Sequence, residues 1–190
     1  MRISSQEKEK LKEKILIEAL PFLKKFGNDG APVDKIMKQV GLTSGALYSH
    51  FKSKEDFFAQ VLLREMHDLN DSYAAEVKEH GAKAVQHLIE GYLSEEHVKN
   101  VGDGCVFAAL GMDLHRQKPS TRTIYEQKIN ERLELFARVL PHGTLEERID
   151  KMRLIFSSLV GTMILARSMK NPEEIKKLLN STKRQLLSFI

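Results

Sequence analysis

The chain has 190 residues, 42% hydrophobic and 29% charged, with a formal net charge of +4, an ordinary composition for a globular protein. Its single cysteine, Cys105, excludes an intrachain disulfide and fits a reducing cytoplasm. The opening MRISSQEKEK has no signal-peptide apolar core, and no apolar run approaches the ~20 residues that span a bilayer, so a cytoplasmic protein with no membrane role is expected.

Apolar residues recur at spacings of three and four, and the alternation typical of strands is absent, which predicts an all-α fold of about nine helices. The first runs from about Ser5 to Phe26, with Leu11, Ile15, Ala19, Phe22 and Phe26 on one face, and Gly27-Asn28-Asp29-Gly30 ends it. A short second helix covers Val33–Val40 behind Pro32, Gly41-Leu42-Thr43 turns the chain, and a short third covers Ser44–His50. Ser53 and Asp56 form a near capping box that opens a long fourth helix, Lys54 to about His80. Gly81 precedes a fifth, about Ala82–Leu93, and Asn100–Gly104 is a breaker before a sixth, about Cys105–Arg116. Pro119 starts the seventh, which runs to Leu140. Thr144 and Glu147 form a capping box for the eighth, to about Met169, and Asn171-Pro172 caps the ninth, which runs almost to Ile190.

Helices two and three are joined by three residues, the first of them Gly41. Ile36, Val40, Leu42, Leu47 and Phe51 can lock them into a rigid helix-turn-helix, the arrangement that lets a second helix enter a DNA major groove. The outward residues of the third helix are small or polar: Ser44, Gly45, Ala46 and Ser49. Residues 24–54 contain six lysines (24, 25, 35, 38, 52, 54) against Asp29 and Asp34, a local basic patch suited to phosphates. Thr43, as N-cap, sets a hydroxyl and free N–H groups at a helix start, and Tyr48, His50 and Lys54 add donors.

The stretch Gly41-Leu-Thr-Ser-Gly-Ala-Leu-Tyr-Ser-His-Phe-Lys-Ser-Lys-Glu-Asp-Phe57 closely resembles the recognition segment of the tetracycline-repressor (TetR) family. The resemblance implies a DNA-binding domain over residues 1–53 and a ligand-sensing, dimerising domain over 54–190. It implies that Thr43, Tyr48, His50 and Lys54 hold phosphates while Ser44 and Gly45 approach base edges. Ala46 can touch a thymine methyl and Ser49 a base or phosphate. Lys12 and Lys38 are further phosphate candidates. Pro32 departs from the family pattern, which often has Ser or Thr there. The implied function is a transcriptional regulator, chiefly a repressor released from a palindromic operator in duplex DNA by an unknown small-molecule inducer.

Residues 54–190 exceed what a scaffold for the head requires. Phe156, Leu159, Val160, Gly161, Met163 and Ile164 on helix eight, with Leu178, Leu179 and Leu186 on helix nine, are the expected homodimer interface; an intrachain core is the competing reading. Met66, Tyr73, Leu88, Tyr92, Phe107, Met112, Leu114 and Phe156 are candidates for lining a ligand pocket, although apolar stripes at this spacing are ordinarily core. His87, His97, Asp113, His115 and Arg116 are candidate rim groups. Cys105, at a helix start, offers an alternative reading as a redox or electrophile sensor, opposed by the nearby Asp103. No nucleophile elbow, P-loop, dinucleotide turn or HExxH helix is present, so no enzyme activity and no cofactor is expected. His80 and His87 are seven apart, but the sequence shows no acidic or Cys partner to complete a metal ligand set. A helical protein-binding adaptor would explain the amphipathic helices, but not the polar outer face of helix three beside the lysines.

Overall fold

The computed structural model describes residues 4–190. Ser4 opens α1 (Ser5–Gly30) through a capping box: the Glu7 N–H donates to its hydroxyl, and its own N–H donates to the Glu7 carboxylate at 2.9 Å. The helix passes through a kink at Gly27, whose φ of 71° breaks helical geometry where the sequence predicts an end. α2 (Val33–Gln39) follows, and Gly41 turns the chain at φ 81°. The segment Ser44–Ser49 is a 3-10 helix rather than an α-helix. Six residues holding one glycine and two serines favour this tighter form, common in short pieces.

Ser53 caps α3 (Lys54–His80), which Gly81 ends. α4 (Lys83–Tyr92) leads to an element absent from the sequence expectation, the five-residue α5 (Glu95–Lys99), capped by Ser94. α6 (Val106–His115), α7 (Pro119–Ala137), α8 (Leu145–Ser168) and α9 (Pro172–Leu187) complete the chain. Thr144–Glu147 forms the expected capping box, and Asn171 accepts from the Glu173 N–H ahead of α9. Among the described residues there is no strand, and no helix is long and apolar enough to cross a membrane.

Two apolar cores organise these helices. The first joins Ile15, Ala19 and Leu23 of α1 to Ile36 and Met37 of α2, Leu47 and Phe51, and Phe57, Phe58, Leu62 and Met66 of α3; Val106 and Leu110 of α6 close it. The second joins α4, the C-terminal half of α7, α8 and α9 through residues such as Ile89, Phe136, Ile155, Leu159, Met163 and Leu179. α3 serves both: its first turns sit in the first core, while Tyr73 and Val77 lie against the second. A buried ion pair, Lys24 Nζ to Glu65 Oε1 at 2.6 Å, pins α1 to α3. Lys24 therefore leaves the basic patch that the sequence assigns to it, because its ammonium faces inward to a carboxylate.

Candidate nucleic-acid interface and cavity

The helix-turn-helix is held from behind. Leu47 and Phe51 are buried, and Phe51 packs edge-on against Phe57 at 5.0 Å between ring centroids. The Leu42 N–H donates to the Met37 carbonyl at 2.8 Å, closing the turn, while the His50 and Phe51 N–H groups both donate to Leu47 O. The outer side is left open. Tyr48 is 65% exposed, so its ring does not cover the packing of α3. Thr43 is exposed and its side chain caps nothing in the chain, which leaves its hydroxyl uncommitted. A Cβ built on Gly45 would meet no atom within 4 Å, so the backbone there faces open space.

Other expected members are partly engaged. The Ser44 hydroxyl donates to Asp34, and the Ser49 hydroxyl donates to the Ala46 carbonyl at 2.7 Å; both oxygens can still accept. Ala46 and Lys54 are half-buried at the edge of this surface. Burial and the nearby Lys8 and Lys12 ammonium groups lower the pKa of His50, so its ring is held neutral, with Nδ1 buried and without a partner. Lys12 lies over the Phe51 ring at 5.8 Å, and Lys38 is exposed.

The second region is a cavity of about 460 Å³ between α3, α4, the 94–105 segment, α7 and α8. Tyr73, Leu88, Tyr92 and Phe156, four of the eight candidates, line it. The other four candidates lie elsewhere. Met66 is sealed in the first core, because it follows the inward face of α3 begun by Phe58 and Leu62. Phe107 and Leu114 border a separate cavity of about 370 Å³ between α6 and α7, and Met112 is 65% exposed on the outer face of α6. Of the proposed rim groups, His87 and His97 line the main cavity, His115 borders the smaller one, and Asp113 and Arg116 form an ion pair at 3.7 Å.

His97 has both ring nitrogens in use. Nδ1 lies 2.8 Å from the Tyr92 carbonyl, and Nε2 accepts the Cys105 N–H at 2.9 Å, so the proton belongs on Nδ1. Burial lowers the pKa of this ring. Arg167 donates to the His97 carbonyl at 2.9 Å, tying α5 to α8. Cys105, half-buried, is the N-cap of α6 and part of the cavity wall.

Sequence reasoning missed two features here. The first is Arg132, which lines the cavity although only 3% exposed. The signal was present: it sits on the stripe Ile129, Leu133 and Phe136, where an apolar residue is expected. The second corrects the reading of His80 and His87. Glu76 lies one turn before His80, and its carboxylate contacts His87 Nδ1 at 2.7 Å and His80 Nε2 at 3.7 Å. One ligand atom from each of the three falls within 4.8 Å of the others, a set able to close on a borderline metal such as zinc. Glu76 and His87 Nδ1 already partner each other without an ion.

The expected interface set divides between two faces. Leu159, Met163, Leu179 and Leu186 are buried in the second core of the protomer and offer no area to a partner. Phe156, Val160, Gly161 and Leu178 are half-buried, and Ile164 is exposed beside Leu154 and Leu165. The inward stripe of α8 and its outward stripe are both apolar, so periodicity alone does not separate them.

Residues 15–61, the helix-turn-helix with its supporting helices, match the sequence model for bacterial regulatory proteins of the tetR family. This segment is thus similar to the DNA-binding region of the tetR family. It is 26% identical over 158 residues to the fatty acid metabolism regulator protein of Bacillus subtilis, spanning 78% of this chain and 77% of that protein. Over 60 residues it is 35% identical to the HTH-type transcriptional regulator AcrR of Shigella flexneri, 32% of this chain and 28% of that one. The fold of the chain matches that of the FadR regulator from Bacillus subtilis, solved in complex with stearoyl-CoA. The TM-score is 0.66 at 18% identity over 94% of this chain and 98% of that one.

Proposed function

We propose that this chain is a homodimeric repressor whose helix-turn-helix holds a palindromic operator and whose cavity takes a small-molecule inducer that releases it. The observation that carries the reading is the one-sided construction of the head. Its inner face is welded into the first core through Leu47, Phe51 and Phe57, while Thr43, Gly45 and Tyr48 stand open on the other. In this reading Thr43, Tyr48, His50 and Lys54 bind phosphates; Ser44 and Gly45 approach the bases, with Ala46 and Ser49 beside them. None of the base-facing groups is a long bidentate donor, so specificity leans on half-site spacing and DNA shape.

The dimer follows from the exposed apolar stripe of α8. Leu154, Ile164 and Leu165 are exposed, and Gly161 among them meets nothing within 4 Å of a built Cβ, which allows close approach of a second copy of the helix. Twofold pairing also matches a palindrome. The cavity supports the inducer, and the Bacillus subtilis FadR, solved with stearoyl-CoA, is a precedent for a ligand bound by this fold.

Selection of bound sequences from random duplex DNA tests the reading. An enriched sequence with twofold symmetry is the expected result. Enrichment of no sequence, or of asymmetric sites bound by one protomer, overturns it.

A further inference from the structure

Two cations are buried among the described residues, and they are treated differently. Lys24 faces Glu65 at 2.6 Å. Arg132 has no carboxylate within ion-pair distance among the described residues. Its Nε donates to Asn70 Oδ1 at 2.9 Å, and the Asn70 amide is itself anchored to the Lys128 carbonyl at 3.1 Å. Its guanidinium carbon lies 5.2 Å from the ring centre of Tyr73, 5.6 Å from Phe156 and 5.9 Å from Phe107. This aromatic box and the single amide fix the orientation of the guanidinium. They leave the four N–H groups on its two terminal nitrogens without a protein acceptor among the hydrogen bonds of the described residues.

Burying a cation without a counter-charge is costly, and guanidinium does not escape by losing its proton. The acids near it do not supply the missing charge. Glu65 shares the cavity wall but is committed to Lys24, while Glu96 and Asp103 are exposed where they meet the cavity. The remaining polar groups are poor anions or donors. His97 is neutral with both nitrogens used, the buried Tyr92 hydroxyl has no partner, and burial raises the Tyr92 pKa so that it keeps its proton. The interior thus holds a surplus of positive charge and hydrogen-bond donors, beside the apolar surfaces of Leu69, Tyr73, Leu88 and Phe156.

We propose that the cavity takes an amphipathic organic anion. Its carboxylate or similar oxyanion sits on the terminal nitrogens of Arg132, and its apolar body lies against Leu69, Leu88 and the aromatic rings. The fork of a guanidinium matches two oxygens of such a head group. A volume of about 460 Å³ suits a small organic molecule. This assignment rests on the reading of the cavity as the effector site and names the chemistry of its ligand.

The test uses a matched probe pair on the full chain: 8-anilinonaphthalene-1-sulfonate and N-phenyl-1-naphthylamine, which has the same body without the anion. Fluorescence titration is expected to give about ten-fold or tighter binding of the sulfonate, the scale of charge-assisted hydrogen bonds. Arg132→Met is expected to abolish that preference while leaving the affinity for the neutral amine within about two-fold. Because it removes an unpaired buried charge and keeps the bulk, thermal unfolding of this variant is expected to stay at or above that of the wild type. Arg132→Lys, which keeps the charge but not the fork, is expected to retain part of the preference. Equal binding of the two probes by the wild type, or a sulfonate preference that survives Arg132→Met, overturns the anion assignment while leaving a cavity that binds ligand. Failure of both probes to bind overturns the effector reading as well.

Discussion

The head and the body of this chain solve opposite problems. In the head the interior is closely packed and apolar apart from the Lys24–Glu65 pair and the inward Nδ1 of His50, while Thr43, Gly45 and Tyr48 meet solvent on the outside. In the body the interior is unfinished: an aromatic cavity with a buried guanidinium and an unpartnered tyrosine hydroxyl. A reading surface must keep its shape before its partner arrives, and close packing behind it secures that. A sensing site must gain free energy when it is filled, and unmet polar groups are the reservoir for that gain. α3 links the two, since the same helix carries Phe58 in the first core and Tyr73 in the cavity wall.

The largest effect is expected where the head is welded to α3. Phe58 is fully buried, so Phe58→Ala should lower stability by about 3–5 kcal/mol in urea unfolding, and DNA affinity should fall with it. An affinity unchanged at temperatures where the variant is still folded would break the claim that the core fixes the reading surface. Next comes the cavity wall at Gly104. A Cβ there would lie 2.5 Å from Arg167 Nη2 and 2.8 Å from the His97 ring, so Gly104→Ala should destabilise by about 1–3 kcal/mol and disturb probe binding more than DNA binding. Lys54→Ala should weaken binding to every duplex alike and reduce the slope of log affinity against log salt by about one unit. A gel-shift series with an unchanged slope removes Lys54 from the phosphate contacts.

The smallest effect concerns His97. Burial holds its pKa below the ordinary value of about 6.5, so the folded state binds fewer protons than the unfolded one just below that pH. Its contribution to stability is therefore complete above about pH 6.5 and is lost as the pH falls from there toward the lowered folded value. Protonation would also place a second N–H against that of Cys105, which Nε2 now accepts. His97→Gln should flatten the fall in unfolding free energy between pH 7 and pH 5.5, measured in urea. A slope equal to that of the wild type would show that the ring is free to titrate in the folded chain.

Local chemistry accounts for what was readable in the sequence. The Thr144–Glu147 box, the Asn171-Pro172 cap and the Gly41 turn are signals within four residues, and the structure has all three. α5 was missed although Ser94 followed by Glu95 and Glu96 is a helix start, because five residues carry no periodicity. What the sequence hid depends on distant partners. Lys24 is withdrawn from the basic patch by Glu65, 41 positions away, and Arg132 is fixed by Asn70, 62 positions away. Glu76 meets His87 only because α4 folds back after Gly81. On α8 the sequence could not tell inward Leu159 and Met163 from outward Ile164 and Leu165, since both faces are apolar.

The most direct measurement of the central claim is fluorescence anisotropy of a selected duplex and of a scrambled duplex of the same composition, titrated at one physiological salt concentration. A dimer is expected to bind the selected duplex about a thousand-fold or more tighter than the scrambled one. Equal affinity for the two duplexes would contradict it.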